Sequence, residues 1–484
     1  MESATETERK YDVPADFELP PLTGVGGVSR ASDAETHDLD ATYFDTEDLR
    51  LARHRHTLRR RTGGSDAGWH LKTPGDGATR TEHRLPLDSG TDEVPGPLQA
   101  EVRAIVRDRA LRPVARLRTR RLETPLRDAD GHTLALVAQD VVTAETDTGE
   151  QHWTEVEVEL VDGGRKVLTA VERALLAAGA TPASGPSKLA RALGDQLPGT
   201  GAPEDGAPDP VLGYARDQRD AIAAFDPGVR RGEPEAVHKM RVATRRLRST
   251  LRTFRKWFPP QTAGPVVDEL KWLAQLLGDV RDAQVQSHKL LAPLDREGLE
   301  FTGVGQRIRA RLEDQETRGR AALTEALDGE RYLRLLDVLD ALVDAPAGGD
   351  GDPRRRTRKT LAKADGLLDQ ARADGVDAEL HDARKAYKRA RYAVEVVAPA
   401  AGRPGAKLVK KLTALQDVLG AHQDSVVARE LLRELAGAAH AAGEDGFPYG
   451  LLYARQERVG EETLEDLPAA VAASRRPKLR HWLG

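Results

Sequence analysis

The chain has 484 residues, of which 31% are charged and 4% aromatic, and its formal net charge is -5. That length exceeds one ordinary domain and predicts two or three compact units, each with its own core. The absence of cysteine excludes a disulfide framework, a thiolate metal site and a cysteine nucleophile, and a negative overall balance argues against a general nucleic-acid coat.

The opening MESATETERK lacks an apolar signal region, and no later run approaches the roughly 20 apolar residues that cross a bilayer. The expectation is a cytoplasmic protein with no membrane partner. From there to about residue 160, short alternating segments recur: ETERKYDV, THDLDATYF, TLRRR, GWHLKTP, RTEHRLPL, VARLRTRRLE, LALVAQDVV and HWTEVEVEL. Turn residues such as Gly63-Gly64, Pro74-Gly75, Asp130-Gly131 and Asp162-Gly163 separate many of them. This pattern predicts a mainly antiparallel sheet or barrel. Helical stretches near Pro97 to Ala110 and Gly164 to Ala178 make the class α+β.

Charges on these segments follow a period of two. Glu6, Glu8 and Lys10 share a face, as do Glu155, Glu157 and Glu159, Arg59 and Arg61, Arg80, Glu82 and Arg84, and Arg116, Arg118 and Arg120. Such faces are either the solvated outside of a half-buried sheet or the inner wall of a tunnel. The inward alternative demands that the charges pair or bind ions, because burying them alone is very costly. Both signs are present, with acidic strands at the two ends and basic strands between. Clustered carboxylates suit Mg²⁺ or Mn²⁺, and Arg and Lys suit phosphate oxygens.

These residues resemble the CYTH domains, the triphosphate tunnel metalloenzymes. ETERK carries the ExExK signature, followed in order by TYFDT, LRRR, the strand of Lys72, RTEHR, RLRTRR, Asp140, EVEVEL and SKLARAL. The resemblance implies an eight-stranded antiparallel tunnel over residues 1–196 that hydrolyses a triphosphate with Mg²⁺ or Mn²⁺. By position, Glu6, Glu8, Glu157 and Glu159 are implied metal ligands, and Asp140 would orient a water. Arg59, Arg61, Lys72, Arg84, Arg116, Arg118 and Lys188 would hold phosphate oxygens, with Lys10 near the terminal phosphoryl group or the attacking water.

The stretch PGTGAPEDGAPDP predicts an exposed linker over 197–210. Beyond it, HKMRVATRRLRSTLRTFRKWF at His238 to Phe258 contains no acidic residue. On a helix, His238, Arg241, Arg245, Arg248, Arg252 and Arg255 line one face, and Met240, Ala243, Leu247, Leu251, Phe254 and Phe258 line another. The pattern returns from His381, with Arg384, Lys388 and Arg391 at the same steps. LKWLAQLLGDVRDAQV follows the first copy and VKKLTALQDVLGAHQDSVV the second, which marks an internal duplication into halves of about 211–345 and 354–484. A Gly/Asp/Pro break at 345–353 separates them. RRRTRKTLAK, from Arg354, opens the second half and extends the basic track.

These copies resemble the CHAD domain, an all-helical family named for its histidines. The resemblance implies an all-α duplicated helical bundle that binds inorganic polyphosphate through His238, Arg241, Arg245, Arg248, Arg252, His381, Arg384, Lys388 and Arg391. Few aromatics accompany the arginines, which favours phosphate chains over stacked bases and makes a nucleic-acid partner the weaker expectation. The combined expectation is a cytoplasmic triphosphatase acting on inorganic triphosphate or short polyphosphate, alongside polyphosphate granules. The alternatives are an adenylate cyclase or thiamine triphosphatase on the same scaffold, or a polyphosphate-binding protein without catalysis.

Overall fold

The computed structural model describes residues 1–75, 79–87, 93–197, 209–297, 303–344 and 351–484. Two compact units, Met1–Asp205 and Gly206–Gly484, divide the chain. Residues 198–208 of the predicted linker and 345–350 of the predicted break lie outside the described residues.

Among the described residues, the first unit has ten strands: β1 (Glu2–Val13), β2 (Arg30–Ala31), β3 (Glu35–Asp45), β4 (Thr57–Thr62), β5 (Gly68–Pro74), β6 (Thr79–Leu85), β7 (Arg112–Arg127), β8 (Thr133–Thr146), β9 (Gly149–Leu160) and β10 (Thr181–Pro182). Eight of them close into an antiparallel barrel in the order β1-β6-β5-β4-β3-β7-β8-β9. The length of β1 makes closure possible: Glu2–Thr7 pairs with β6, and Glu8–Val13 pairs with β9. Closure pairs each of these eight strands on both sides, which removes the open edges that template aggregation. The two-residue strands β2 and β10 add to β7 and β1.

Because strand side chains alternate, this register decides which residues face the lumen. The outward set of β1, β8 and β9, including Tyr11, Val137, Val156 and Val158, packs under Val167, Leu168, Val171 and Leu175 of a covering helix, Arg165–Ala177. On another side Phe44, Leu58, Trp69 and Leu71 pack against Leu98, Val102 and Ile105 of the helix Gly96–Val106. A third apolar group is formed by lumen-facing residues at one end, including Tyr43, Ala115, Leu117, Val142 and Trp153. There the short helix Lys188–Leu193 seats Leu189, Ala192 and Leu193, and thereby stops that end of the barrel. Ser187 caps this helix by accepting from the Ala190 N–H at 3.1 Å. The TYFDT segment ends in a turn device: the buried Asp45 carboxylate accepts from the backbone N–H groups of Thr46, Leu51 and Ala52 at 2.7–2.9 Å.

The second unit is helical. We label its helices α1 (Pro210–Arg230), α2 (Pro234–Thr253), α3 (Pro260–Glu297), α4 (Val304–Asp328), α5 (Glu330–Asp344), α6 (Pro353–Asp374), α7 (Asp377–Ala401), α8 (Arg403–Ala441), α9 (Phe447–Glu465) and α10 (Leu467–Ser474). The succession repeats: α1 and α6 both begin with an Asp N-cap and Pro at the first position, α2 and α7 carry the two basic copies, and α3 and α8 are the long helices that follow. Leu290, Ile308 and Leu312 of the first half share a core with Leu432, Leu435 and Leu452 of the second. The basic helix is shorter than its periodicity predicts. α2 ends at Thr253, and Arg255–Trp257 form a 3₁₀ turn; the Pro259-Pro260 pair just beyond disfavours helix in what precedes it. Arg255 therefore leaves the stripe. Among the described residues, no helix is long and apolar enough to cross a membrane.

Candidate functional site

The barrel interior is charged rather than apolar. The described residues lining the lumen include eight cations (Lys10, Arg59, Arg61, Lys72, Arg80, Arg84, Arg121 and Lys188) and six carboxylates (Glu6, Glu8, Asp66, Glu82, Glu157 and Glu159). The inward alternative for the ETERK, RTEHR and EVEVE alternation is therefore the correct one. Each strand contributes through its parity: Lys10 stands opposite Glu157, Glu8 opposite Glu159, and Lys72 opposite Glu82.

Two clusters organise the lumen. In the first, Glu6 is held by Lys72 and by Arg84 at 3.0 Å, while Glu82 accepts from His70 Nδ1 at 3.0 Å and pairs with Arg84. In the second, Lys188 Nζ lies 2.8 Å from Asp140, 2.8 Å from Glu155 and 2.6 Å from Glu157. Arg121 bridges Asp140 at 2.7 Å and Glu157 at 2.6 Å. Lys10 links the clusters by contacting Glu157 and, at 3.1 Å, Glu8. Burial opposes ionisation at Glu157, but Lys10, Lys188 and Arg121 hold its carboxyl well below the usual range. Burial alone would lower the Lys188 ammonium, but Asp140, Glu157 and Glu155 raise it.

Glu159, like Glu6, is raised rather than lowered, with burial the largest cause in both. Burial first, then the neighbouring Glu6 carboxylate, pushes Glu159 up from the ordinary 4.5 to about 7. The folded protein thus keeps a proton that the unfolded chain has released. Stability is therefore expected to fall as pH rises from the carboxylate range through about 7. Thermal unfolding across that window, without divalent cations, checks this, and Glu159→Gln should flatten the decline.

Several predicted site residues meet in the lumen: Glu6, Glu8, Lys10, Arg59, Arg61, Lys72, Arg84, Glu157, Glu159 and Lys188. Arg116 and Arg118 do not, which corrects their sequence placement. Their parity is that of the outer face, where Arg116 pairs with Asp40 at 2.6 Å and Arg118 pairs with Glu145. Their side chains are 51% and 53% exposed, against 17% for Arg121. The basic wall at this strand is supplied by Arg121, which the alternation of Arg116, Arg118 and Arg120 conceals, because Arg121 shares the parity of Leu117 and Thr119. Arg118→Ala is expected to change stability by under about 1 kcal/mol, as exposed pairs do, whereas Arg121→Ala leaves Asp140 and Glu157 short of a buried partner. Unfolding measurements on both variants separate the two faces. Arg80, Glu82 and Glu155 also belong to the lumen. Glu155, whose carboxylate accepts from Trp153 Nε1 at 2.6 Å, was legible as the third member of its alternating face.

The oxygen-only donor set suits a hard divalent cation. Among the described residues, the lumen acids whose ligand atoms lie within 4.8 Å of one another are Asp140, Glu155 and Glu157. Of the four predicted ligands, only Glu157 is in that group. Glu6 and Glu8 are engaged instead by the adjacent ammonium and guanidinium groups. Both oxygens of Asp140 are likewise taken, by Arg121 and Lys188.

In the helical unit, α2 and α7 bring the two basic stripes together. Burial and then Arg245, Arg384 and Arg241 push the Lys388 ammonium down to about 6, a sign of cations crowded without enough counter-charge. Arg384 is lowered by burial and by Arg245 and Arg241, and Arg248 by burial and by Arg245 and Arg252. His238 and His381 are half-buried beside these cations, and burial lowers both. Two predicted members are differently employed. Arg241 pairs with Asp282 at 2.9 Å, and Arg391 is held by Glu395 at 3.4 Å and lies over the Tyr392 ring. The Glu395 carboxylate, one turn beyond Arg391, also accepts from Tyr214 and binds Arg246. Arg391 is thus a member of an internal network rather than of the open stripe.

A family model of the CYTH domain matches residues 4–193, and one of the CHAD domain matches residues 213–433. Two Mycobacterium tuberculosis proteins, Uncharacterized protein MT2285 and Uncharacterized protein Rv2226, are each 42% identical over 498 residues, covering 96% of this chain and 95% of their own. Among solved structures, PptA from Streptomyces chartreusis aligns over 54% of this chain and 98% of its own, at 20% identity and a TM-score of 0.47. The CHAD domain from the plant Ricinus communis aligns over 54% and 88%, at 29% identity and a TM-score of 0.40.

Proposed function

Because the chain belongs to the family that joins a CYTH domain to a CHAD domain, we propose that it is a metal-dependent triphosphatase for inorganic triphosphate or short polyphosphate. We further propose that its helical unit binds inorganic polyphosphate. The family's common chemistry is that of triphosphate tunnel enzymes. The observation that carries the proposal is the closed lumen in which cations and carboxylates neutralise one another, leaving a cavity of about 80 Å³. A triphosphate with divalent cations can substitute for those internal pairs, phosphate oxygens taking the arginines and lysines while the carboxylates take the cations.

In this reading Arg59, Arg61, Lys72, Arg84 and Arg121 orient the phosphate chain and spread its charge, which is what a loose phosphoryl-transfer transition state needs. Mg²⁺ or Mn²⁺ held by Glu157 with Asp140 and Glu155, or by the Glu6, Glu8 and Glu159 carboxylates, would supply charge neutralisation at the phosphates. Lys10, between Glu8 and Glu157, points its ammonium into the same space. The short helix that stops one end of the barrel limits water and confines the substrate. Among the described residues, Tyr43 is the aromatic side chain lining the charged cavity, and its hydroxyl accepts from Arg59 at 3.3 Å, while Trp153 sits in the apolar group at the stopped end with its Nε1 donating to Glu155. That arrangement offers no stacking platform for adenine or thiamine and favours an inorganic substrate over the cyclase and thiamine triphosphatase readings. Turnover of triphosphate well above that of ATP and thiamine triphosphate is the expected result; preference for either organic substrate would overturn the assignment.

For the helical unit, crowding at Arg245, Arg384 and Lys388 supports an anion partner. Changing Arg241, Arg245, Arg384 and Lys388 together to Ala is expected to weaken polyphosphate binding by at least about tenfold, with a shallower dependence on salt. Equal affinity in the two proteins, measured by titration at several ionic strengths, would remove these stripes from the binding site.

A further inference from the structure

A second cationic groove lies within the helical unit, beside the crowded cluster. One face of α6 presents Arg356, Lys359 and Lys363, and a face of α7 presents Lys385 and Arg389; Arg252 from the end of α2 completes the wall. These positions recur at helical steps, so each helix turns a continuous basic edge toward the same groove. The groove has a volume of about 590 Å³, and Asp382 is the one carboxylate lining it among the described residues. Lys385 pairs with that Asp382 at 3.1 Å, and Arg356 donates to the Thr253 carbonyl at 2.8 Å; the other four cations form no ion pair among the described residues.

We propose that this groove is a second segment of the polyphosphate track, reached only by chains long enough to run from the Arg245, Arg384 and Lys388 cluster across Arg252 and Arg389 onto α6. The helical unit thereby selects long polyphosphate over short. This rests on the polyphosphate reading of the crowded cluster and extends it. Arg252 belongs both to the α2 stripe and to the groove wall, so the two basic surfaces are continuous. Mutual repulsion says the same: Arg248 is lowered by burial and by Arg245, Arg252 and Arg389, and Arg389 by burial and by Arg252. From Arg356 to Lys363, α6 runs for about 10 Å, room for several further phosphates beyond those at the cluster. No aromatic side chain lines the groove among the described residues, so it offers bases no stacking surface and favours a phosphate chain over single-stranded nucleic acid.

The test compares the full-length protein with its Lys359→Ala/Lys363→Ala/Lys385→Ala variant, binding short and long polyphosphate chains at several salt concentrations. Long-chain affinity is expected to fall about tenfold and its salt slope by about two, while short-chain affinity stays unchanged. The Lys359→Glu/Lys363→Glu variant should deepen the same selective loss, and circular dichroism verifies that both variants are folded. If the unaltered protein binds long chains and the variants bind them equally well, the groove is not part of the track. Parallel losses for short and long chains overturn the length selection. A single-stranded oligonucleotide of matched charge that displaces long polyphosphate as well as polyphosphate itself does overturns the assignment to phosphate chains. Failure of the unaltered protein to bind any polyphosphate overturns the reading of the cluster itself, and the extension with it.

Discussion

Replacing Glu6 and Glu8 together by Gln is expected to lower triphosphate hydrolysis by at least two to three orders of magnitude, the scale on which single electrostatic elements of a transition-state site act. Gln keeps the size and the hydrogen-bonding capacity of each side chain but removes two of the lumen carboxylates. The lumen then carries more positive charge, so triphosphate still binds while divalent cations are lost. The helical unit has its own core and its own cations, and its polyphosphate affinity is expected to stay unchanged. Phosphate release and polyphosphate binding measured on the same preparation check both halves. Turnover within tenfold of the unaltered protein would mean that the ETERK carboxylates are not part of the machinery.

The second large effect is on stability. Lys188 is 9% exposed and touches Asp140, Glu155 and Glu157, the first of which is fully buried. Lys188→Met retains the length of the side chain but leaves three carboxylates around an apolar tip, with Arg121 still on Asp140 and Glu157 and Lys10 still on Glu157. Breaking a buried pair in this way costs about 3–5 kcal/mol, and the loss should fall on the barrel's unfolding transition in urea. The pH dependence has a definite sign. Asp140 and Glu157 are held below their ordinary 3.8 and 4.5, so the stability they draw from Lys188 is present above that range and fades as acid protonates them. Lys188 is raised above its ordinary 10.5, so its share is present below that value and is lost only in strong base. The difference between the two proteins is therefore largest around neutrality. A loss under about 1 kcal/mol at neutral pH would show that the cluster is hydrated enough to do without its lysine.

Much of the barrel was legible because period-two charge is unusual on both signs at once. The eight alternating segments of the sequence correspond to the eight strands of the closed sheet, and the ETERK and EVEVE faces turn inward as the tunnel alternative requires. The reading failed where the lumen stops being charged. At the end closed by the helix Lys188–Leu193, the inward face of β7 reads Ala115, Leu117 and Thr119 before Arg121, so in the sequence the more regular Arg116, Arg118 and Arg120 face reads as the functional one. Pairing partners on β3 and β8 reveal the true parity, and such long-range register is not encoded in one strand. The grouping of the acids was hidden for a related reason: that Asp140 and Glu155 gather with Glu157 depends on which lysines reach them across the lumen.

In the helical unit, the basic stripes and their duplication were visible, but the contact that brings Arg245 beside Arg384 and Lys388 joins positions far apart in the chain. Arg391 could have been set aside from sequence, because Glu395 lies four residues on and such a pair faces the same side of a helix. Arg255 could also have been removed from the stripe, since Pro259-Pro260 signals the end of the preceding helix.

The central claim is that the charged lumen turns over a triphosphate. Its most direct test is phosphate release from inorganic triphosphate by the purified full-length protein, with Mg²⁺ or Mn²⁺ and again after chelation. The account predicts release that depends on the divalent cation and disappears with it. Release that persists unchanged after chelation, or none under any condition while polyphosphate still binds, would contradict it.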